Sequence, residues 1–403
     1  MTGRRVTLVL CTRDGDLLGA LPPYDVDPPW WPEVAPVVEG ARERYGIDVT
    51  ILRRIDDGRP RTVPDGGRVA YLAEVADLST RTAQLQDWPG DPLRPEPLRQ
   101  AWAHPGGPDQ DLRWAEQQLD AAGTPIAGRP IQFRTWNLSS LWRIPTTDGA
   151  AWLKVVPPFF AHEGGVLARL EPPCVPTLLA AEGARALLAE IPGDDKYDAP
   201  LPALLTMVRT LVAIQAQWTD RVDELLALGA PDWRPEPLAV LAADTVARTA
   251  PELDPATVAH LDQLVAGLPG RFAPIDACGI PDTLVHGDFH PGNVRGSGDR
   301  LVLLDWGDTG VGHPLLDDAA FTERLSDDDT RVVRTEWSAA WRRAVPGCDP
   351  DRARELLAPV MALRLAVIYR GFLDRIEPDE RIYHAADPVT WLRRAAGLVA
   401  ARR

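Results

Sequence analysis

The chain has 403 residues, an apolar fraction of 45% and a formal net charge of −15, which together allow two or three domains and a large core and speak against broad binding to nucleic acid or an anionic membrane, since phosphate contacts need a basic face. No apolar run approaches the roughly 20 residues of a membrane span, and the first residues are not expected to form a signal peptide. Cys11, Cys174, Cys278 and Cys348 lie too far apart to form metal-ligand pairs and read as reduced thiols of a cytoplasmic protein.

The first 85 residues read as a small α/β domain. Residues 6–10 form a strand, followed by a turn at Arg13-Asp14-Gly15-Asp16. Residues 33–45 carry Val34, Val37, Val38 and Ala41 at helical spacing and stop at Gly46. Strands follow at 49–52 and 69–75. The arrangement faintly resembles the start of a Nudix hydrolase domain. In that family a helical Arg-Glu is followed by a closely spaced Glu-Glu pair that binds metal; here Arg42-Glu43 is followed by Arg44-Tyr45-Gly46. The resemblance therefore implies a degenerate accessory domain without pyrophosphatase activity.

Residues 86–108 carry Pro89, Pro92, Pro95, Pro97, Pro105 and Pro108 and read as a linker. A helix is expected at 111–122. Three strands follow at 130–135, 141–145 and 151–156, the last two joined through Thr146-Thr147-Asp148-Gly149. A helix at 161–170 and an apolar strand at 186–191 complete residues 109–192. The region 193–403 is mostly helical, with helices expected at 201–228, 255–268, 352–376 and 388–401, the second capped by Asp254 before Pro255.

The most informative run is His286-Gly287-Asp288-Phe289-His290-Pro291-Gly292-Asn293, followed by Leu303-Leu304-Asp305-Trp306. It places an Asp, an Asn and a second Asp on two strand-and-turn segments. That set suits phosphoryl transfer: one carboxylate deprotonates an attacking hydroxyl, while an amide oxygen and another carboxylate hold Mg²⁺ against the phosphates. The turn Gly296-Ser297-Gly298 would fold residues 301–304 back and bring Asp305 beside Asn293. Lysine usage adds a second signal, because only Lys154 and Lys196 are lysine among 43 basic residues.

The order of strands, Lys154, a helix with Glu163, a hinge strand, helices and an Asp/Asn loop resembles the aminoglycoside phosphotransferase and choline kinase family, over roughly residues 110 to 400. The resemblance implies an α+β, bilobal protein-kinase-like fold, with a β-rich small lobe and a helical large lobe, behind the α/β N-terminal domain. It implies Asp288 as the catalytic base and Asn293 and Asp305 as metal ligands. His286 would fix the loop, Asp308 would be a supporting acid or a turn residue, and Asp317 would be a structural cap. Lys154 would contact the nucleotide phosphates with Glu163 as partner, Glu171 and Glu182 being alternatives. The stretch from Trp136 to Leu141 lies where relatives place a phosphate-covering turn; it has no glycine, and Ser139 and Ser140 would donate instead. The hinge would offer the backbone of Glu190 and Ile191 to a purine, which leaves ATP and GTP both open.

The function so implied is an ATP- and Mg²⁺-dependent kinase of a small-molecule hydroxyl, on an aminoglycoside, amino sugar or other amine or sugar alcohol. Nucleotide and acceptor are its partners, with no nucleic acid and no membrane. The alternatives are a catalytically silent nucleotide-binding module and a bifunctional hydrolase-kinase. A protein-kinase role fits less well, because Asp305 runs straight into a turn and helix without space for a long activation loop. Asp194, Asp195, Asp198, Asp318 and Glu323 are either acids facing a substrate amine or solvated surface acids.

Overall fold

The computed structural model describes residues 3–56, 58, 65–76, 85–298 and 300–401. The chain forms two compact units. One comprises residues 1–161, 178–190 and 373–385, the other residues 162–177, 191–372 and 386–403.

The first unit begins with β1 (Arg4–Thr12), β2 (Leu17–Ala20), β3 (Tyr24–Val26), α1 (Ala35–Tyr45), β4 (Val49–Ile55) and β5 (Gly67–Val75). The sheet order is β2-β1-β5-β4, with β1 parallel to β5 and β3 paired to β1. Strand alternation sends the side chains of β1 to two faces. Val6, Leu8 and Leu10 pack with Val34, Val37 and Ala41. Val9 and Cys11 pack on the other face with Leu52, Ala70 and Leu72, against Trp88 and Leu93 from the Pro-rich stretch. The helix α1 ends where Gly46 adopts φ +65°, a conformation that suits glycine, and its N–H closes on the Arg42 carbonyl at 2.9 Å.

The same unit holds α2 (Gly107–Ala121), β6 (Ile131–Trp136), β7 (Ser139–Thr146), β8 (Gly149–Val155), β9 (Leu178–Glu182) and β10 (Arg185–Ala189). The second sheet has the order β6-β7-β8-β10-β9. Trp102, Trp114, Ala115 and Leu119 pack on its Trp142, Ile144, Leu153 and Leu187, and Asp111 on α2 binds Arg185 at 2.7 Å.

The two sheets meet at β6. The Val34 N–H donates to the Phe133 carbonyl at 3.1 Å, and the Thr135 N–H donates to the Pro32 carbonyl at 3.0 Å. Beside a bulge in β4, the Gln132 amide makes a reciprocal pair with Ile51: Nε2 donates to the carbonyl at 2.7 Å, and Oε1 accepts from the N–H at 2.8 Å. A side-chain amide thus satisfies the backbone of an interrupted strand.

The second unit contains α3 (Glu163–Leu167), β11 (Asp194–Asp195), α4 (Leu201–Ala216), α5 (Val222–Ala227), α6 (Pro235–Thr249), α7 (Pro255–Asp276), β12 (Thr283–Val285), β13 (Val294–Ser297), β14 (Arg300–Leu303), β15 (Gly310–Gly312), α8 (Asp318–Thr322), α9 (Asp327–Ala344), α10 (Pro350–Leu373) and α11 (Asp387–Ala400). The single helix expected at 201–228 is two. The break carries buried Trp218, with the Arg221 guanidinium 4.1 Å from its ring centre. Helices α6 and α9 lie outside the sequence expectations.

Helix α10 also corrects the reading of hydropathy. With a mean hydropathy of 1.6 over its most apolar window, it is long and apolar enough to cross a membrane by length and composition. Its arginines interrupt the run to the eye but not the average. The helix is mostly buried in the unit, with Leu357, Val360, Leu363 and Ala366 at no exposure, as a core helix of this composition would be.

Candidate active site

Three buried residues of β12 deliver the chain into the loop that starts at His286. The loop is fixed from beneath by Asp317, whose Oδ2 accepts from the His286 N–H at 2.9 Å and whose Oδ1 accepts from the Gly287 N–H at 2.8 Å. Gln215 on α4 donates to the same carboxylate at 3.0 Å. Gly287 sits at φ +95°, and a Cβ there would lie 2.1 Å from the Asp308 carbonyl oxygen, so backbone conformation and close approach both require glycine. Asp317 therefore clamps the loop, rather than capping a helix as expected: no side-chain cap bond is made at the start of α8.

His286 is fully buried. Its Nε2–H donates to the Leu304 carbonyl at 2.9 Å, and its ring lies 4.5 Å from that of Trp306. Burial lowers its pKa to about 4, against the charges of Asp288 and Asp305, so the imidazole is neutral near pH 7. His313, also buried and lowered to about 3, accepts the Leu315 N–H on Nδ1 at 3.2 Å and closes a turn.

Asp288 points the other way. Its side chain is 42% exposed, so solutes reach it. Asn293 Nδ2 donates both to the Asp288 carbonyl at 2.9 Å and to its Oδ2 at 3.0 Å. His290 Nε2 lies 3.5 Å from that Oδ2. Burial of the loop pushes the carboxyl upward, but the hydrogen bond and charge of His290, the charge of His286 and the Asn293 amide prevail, and Asp288 sits below its ordinary value. It is ionised at neutral pH.

The β13–β14 hairpin pairs Val294 with Leu303, and the Leu304 N–H donates to the Asn293 carbonyl at 2.8 Å. This register brings Asp305 back beside Asn293, as the sequence spacing implied. Asp305 is the only non-glycine among the described residues with a positive φ, +61°. A left-handed aspartate is strained relative to glycine and persists only where its surroundings fix it.

The donor set can be tested against a cation. The nitrogen of the Asn293 amide is committed to Asp288, and no hydrogen bond among the described residues uses its Oδ1, which leaves an oxygen as acceptor. Among the described residues no three His, Cys, Asp or Glu side chains converge on one point. An amide oxygen and a neighbouring carboxylate fit a hard cation that binds few protein groups and keeps its waters, as Mg²⁺ does.

The remaining expected residues fall as follows. Glu163, in the first turn of α3, is buried, and its Oε1 accepts from the Trp306 N–H at 3.1 Å, so it anchors the turn after Asp305. Asp308 closes that turn against Gly287. Lys154 lies on β8 in the first unit, half-buried, opposite Leu141 and Ala186. Ser139 and Ser140 are strand residues, which corrects their expected place in an open loop. The turn is only Asn137 and Leu138, and the serine hydroxyls accept indole N–H groups from Trp136 and Trp142, each at 3.0 Å. Glu190 is held by Arg143 through two bonds of 2.7 and 3.0 Å, and the Ile191 carbonyl accepts from Arg295 at 3.0 Å. Asp318, read as a substrate-facing or solvated acid, is fully buried between Arg334 at 2.5 Å and Arg354 at 2.9 Å.

Arg364 is a functional candidate that sequence reading missed. It is 1% exposed, lies 4.8 Å from the Trp233 ring centre, and its charge acts on Asp317, Asp308 and Asp288. The available signal was an arginine between Leu363 and Leu365, the one charged residue from Leu356 to Tyr369 in the middle of the helix.

The sequence profile of the phosphotransferase enzyme family matches residues 142–356, more than half of the chain. The chain belongs to that family. By family it is a phosphotransferase. Among solved structures, macrolide 2'-phosphotransferase type I is 18% identical over 69% of this chain and 96% of that one, with a TM-score of 0.52. Choline kinase LicA from Streptococcus pneumoniae is 12% identical over 72% of this chain and 99% of that one, with a TM-score of 0.52. Both likenesses concern the fold, which is protein-kinase-like and α+β as the sequence implied. No protein of curated function matches the phosphotransferase.

Proposed function

We propose that the phosphotransferase moves the γ-phosphate of ATP to a hydroxyl of an amine-bearing small molecule, such as an aminoglycoside or amino sugar, with Mg²⁺. The observation that carries this reading is the locked trio in the second unit: Asn293 is held on Asp288 by two hydrogen bonds, and the hairpin returns Asp305 beside it.

Asp288, ionised and exposed, accepts the proton of the acceptor hydroxyl as its oxygen attacks phosphorus. His290 is drawn toward its protonated form: burial opposes the charge, but Asp288, with Asp305 and Glu323, outweighs it. It steadies the Asp288 carboxylate. Asn293 Oδ1 and the Asp305 carboxylate would hold Mg²⁺, which when bound would neutralise phosphate charge. Glu163 and His286 keep the Asp305 turn and the Asp288 loop in register. Lys154 serves the nucleotide phosphates, and the β6–β7 turn covers them. Glu323, exposed, 3.7 Å from Arg394 and within electrostatic reach of Asp288, supports an amine on the acceptor. The two solved structures named above are, by name, a phosphotransferase of macrolides and a kinase of choline, both small molecules.

Asp305→Asn keeps size and polarity but removes the charge at the metal. The Mg²⁺ concentration for half-maximal turnover should rise at least about tenfold. A magnesium titration of ADP release measures it, and an unchanged midpoint would remove Asp305 from the metal site.

A further inference from the structure

The β6–β7 turn raises a physical problem. A glycine-rich turn fits its N–H groups to phosphates by adjusting its backbone. This turn, Asn137-Leu138, has no glycine, so its shape must come from what holds it. Asn137 is 3% exposed, and its Nδ2 donates to the carbonyl of Glu380 at 3.3 Å. Trp136, the residue before it, meets Tyr383 edge-on at 5.4 Å between ring centres and His384 at 5.6 Å. The Trp136 carbonyl accepts from the Trp102 indole at 3.2 Å.

The segment that supplies these contacts, residues 373–385, is itself bound to the N-terminal domain. Glu380, 2% exposed, accepts the Arg54 N–H of β4 on Oε1 at 3.0 Å. Glu377 pairs with Arg99 at 3.3 Å and Arg53 at 3.7 Å. The other end of the hairpin is held by Gln132 on Ile51 and by the backbone bonds of Val34 and Thr135. All of these residues belong to one compact unit.

We propose that residues 373–385 and the N-terminal domain together clamp the β6–β7 hairpin, and that Glu380 is a positioning residue that sets nucleotide affinity through the Asn137 turn. The proposal rests on the reading that this turn covers the nucleotide. The N-terminal domain thereby acquires a role in nucleotide binding, with its strand β4 as one jaw of the clamp. Rigid support replaces backbone freedom, which is how a turn without glycine presents N–H groups at low ordering cost.

The charge state of Glu380 supplies an independent readout. Burial, with Glu377, raises its pKa to about 8, against Arg54, its backbone N–H and Arg53. Asp379 on the same segment, Arg99, Tyr71 on β5 and Tyr383 also face this cluster. The carboxyl is neutral at pH 7, and above pH 8 it becomes a buried anion beside Glu377, which loosens the clamp.

The experiment compares the intact protein with Glu380→Ala and Glu380→Gln. In the nucleotide-free proteins, hydrogen exchange should quicken about tenfold at the amides of 136–140 in Glu380→Ala, with those of β13 and β14 unchanged. Under turnover the nucleotide KM should rise about tenfold in that variant with kcat within about twofold. Glu380→Gln, an amide in place of a neutral carboxyl, should match the parent at pH 7 and lose the alkaline rise in nucleotide KM that the parent shows above pH 8. Unchanged exchange at 136–140 in Glu380→Ala overturns the clamp. An alkaline rise that persists in Glu380→Gln overturns the positioning role. A parent that binds no nucleotide defeats the functional reading instead, and the exchange result still decides the clamp. Should Glu380→Ala not fold, Asn137→Ala removes instead the bond from the turn to the Glu380 backbone carbonyl, the next link of the same clamp, and carries the same exchange and KM expectations.

Discussion

Asp288→Asn should lower kcat by about 10³-fold while nucleotide binding changes by no more than a few-fold. The substitution is chosen to keep the loop. An asparagine Oδ1 can still accept the Asn293 amide that now binds Asp288 at 3.0 Å, and the second bond from that amide goes to the residue 288 carbonyl, which is untouched. The basic oxygen is lost. Asp288 contributes no bond to the core of the unit, and its side chain is 42% exposed, so stability should stay within about 0.5 kcal/mol of the parent. Single-turnover kinetics with calorimetry of nucleotide binding separate the two effects. Near-parental turnover would show that another group takes the proton.

Asp317→Ala should destabilise the protein by on the order of 3–5 kcal/mol and abolish turnover with it. One carboxylate accepts the N–H groups of His286 and Gly287 and the Gln215 amide, and it faces the buried Arg364. Removing it orphans buried donors and leaves the Arg364 charge uncompensated. The titration of Asp317 provides a second check. Burial raises its pKa to about 6, against Arg364 and the two backbone donors. A carboxyl raised in the folded state holds a proton that the unfolded chain has released. Its contribution to stability is therefore full below the ordinary aspartate range and falls as pH rises through about 6. Urea unfolding across that range should show this slope in the parent and not in Asp317→Asn. A mild effect of Asp317→Ala, below about 1 kcal/mol, would mean the loop is held by other contacts.

The loop from His286 to Asn293 is legible in the sequence because its candidate chemistry is local. Asp288, Asn293 and Asp305 sit at strand ends and turns, and the short β13–β14 hairpin leaves one way to bring the last beside the others. The same locality makes β6, β7 and β8 readable. Contacts that depend on distant sequence are not readable. Glu163 is expected through a resemblance, but its bond to the Trp306 N–H joins residues 143 positions apart. Nothing near Gln132 says that its amide will complete β4, 81 residues earlier. Arg364 looks like an interruption of a helix because its partners come from the loop and the turn before α8. Helix α9 escapes the sequence reading although its signal is local: Ser326 accepts the Asp329 N–H at 3.1 Å, and three aspartates fill the first turn. Their charge draws attention away from the apolar stripe of Val333, Trp337 and Trp341 behind them.

The most direct test of Asp288, Asn293 and Asp305 as a working phosphoryl-transfer site is ADP release by the intact protein from ATP, with and without Mg²⁺, across aminoglycosides, amino sugars, choline-type amines and simple sugars. The expected result is release that requires Mg²⁺ and is stimulated by at least one hydroxyl-bearing amine. Absence of Mg²⁺-dependent ATP or GTP binding, measured on the same sample by calorimetry, would contradict it.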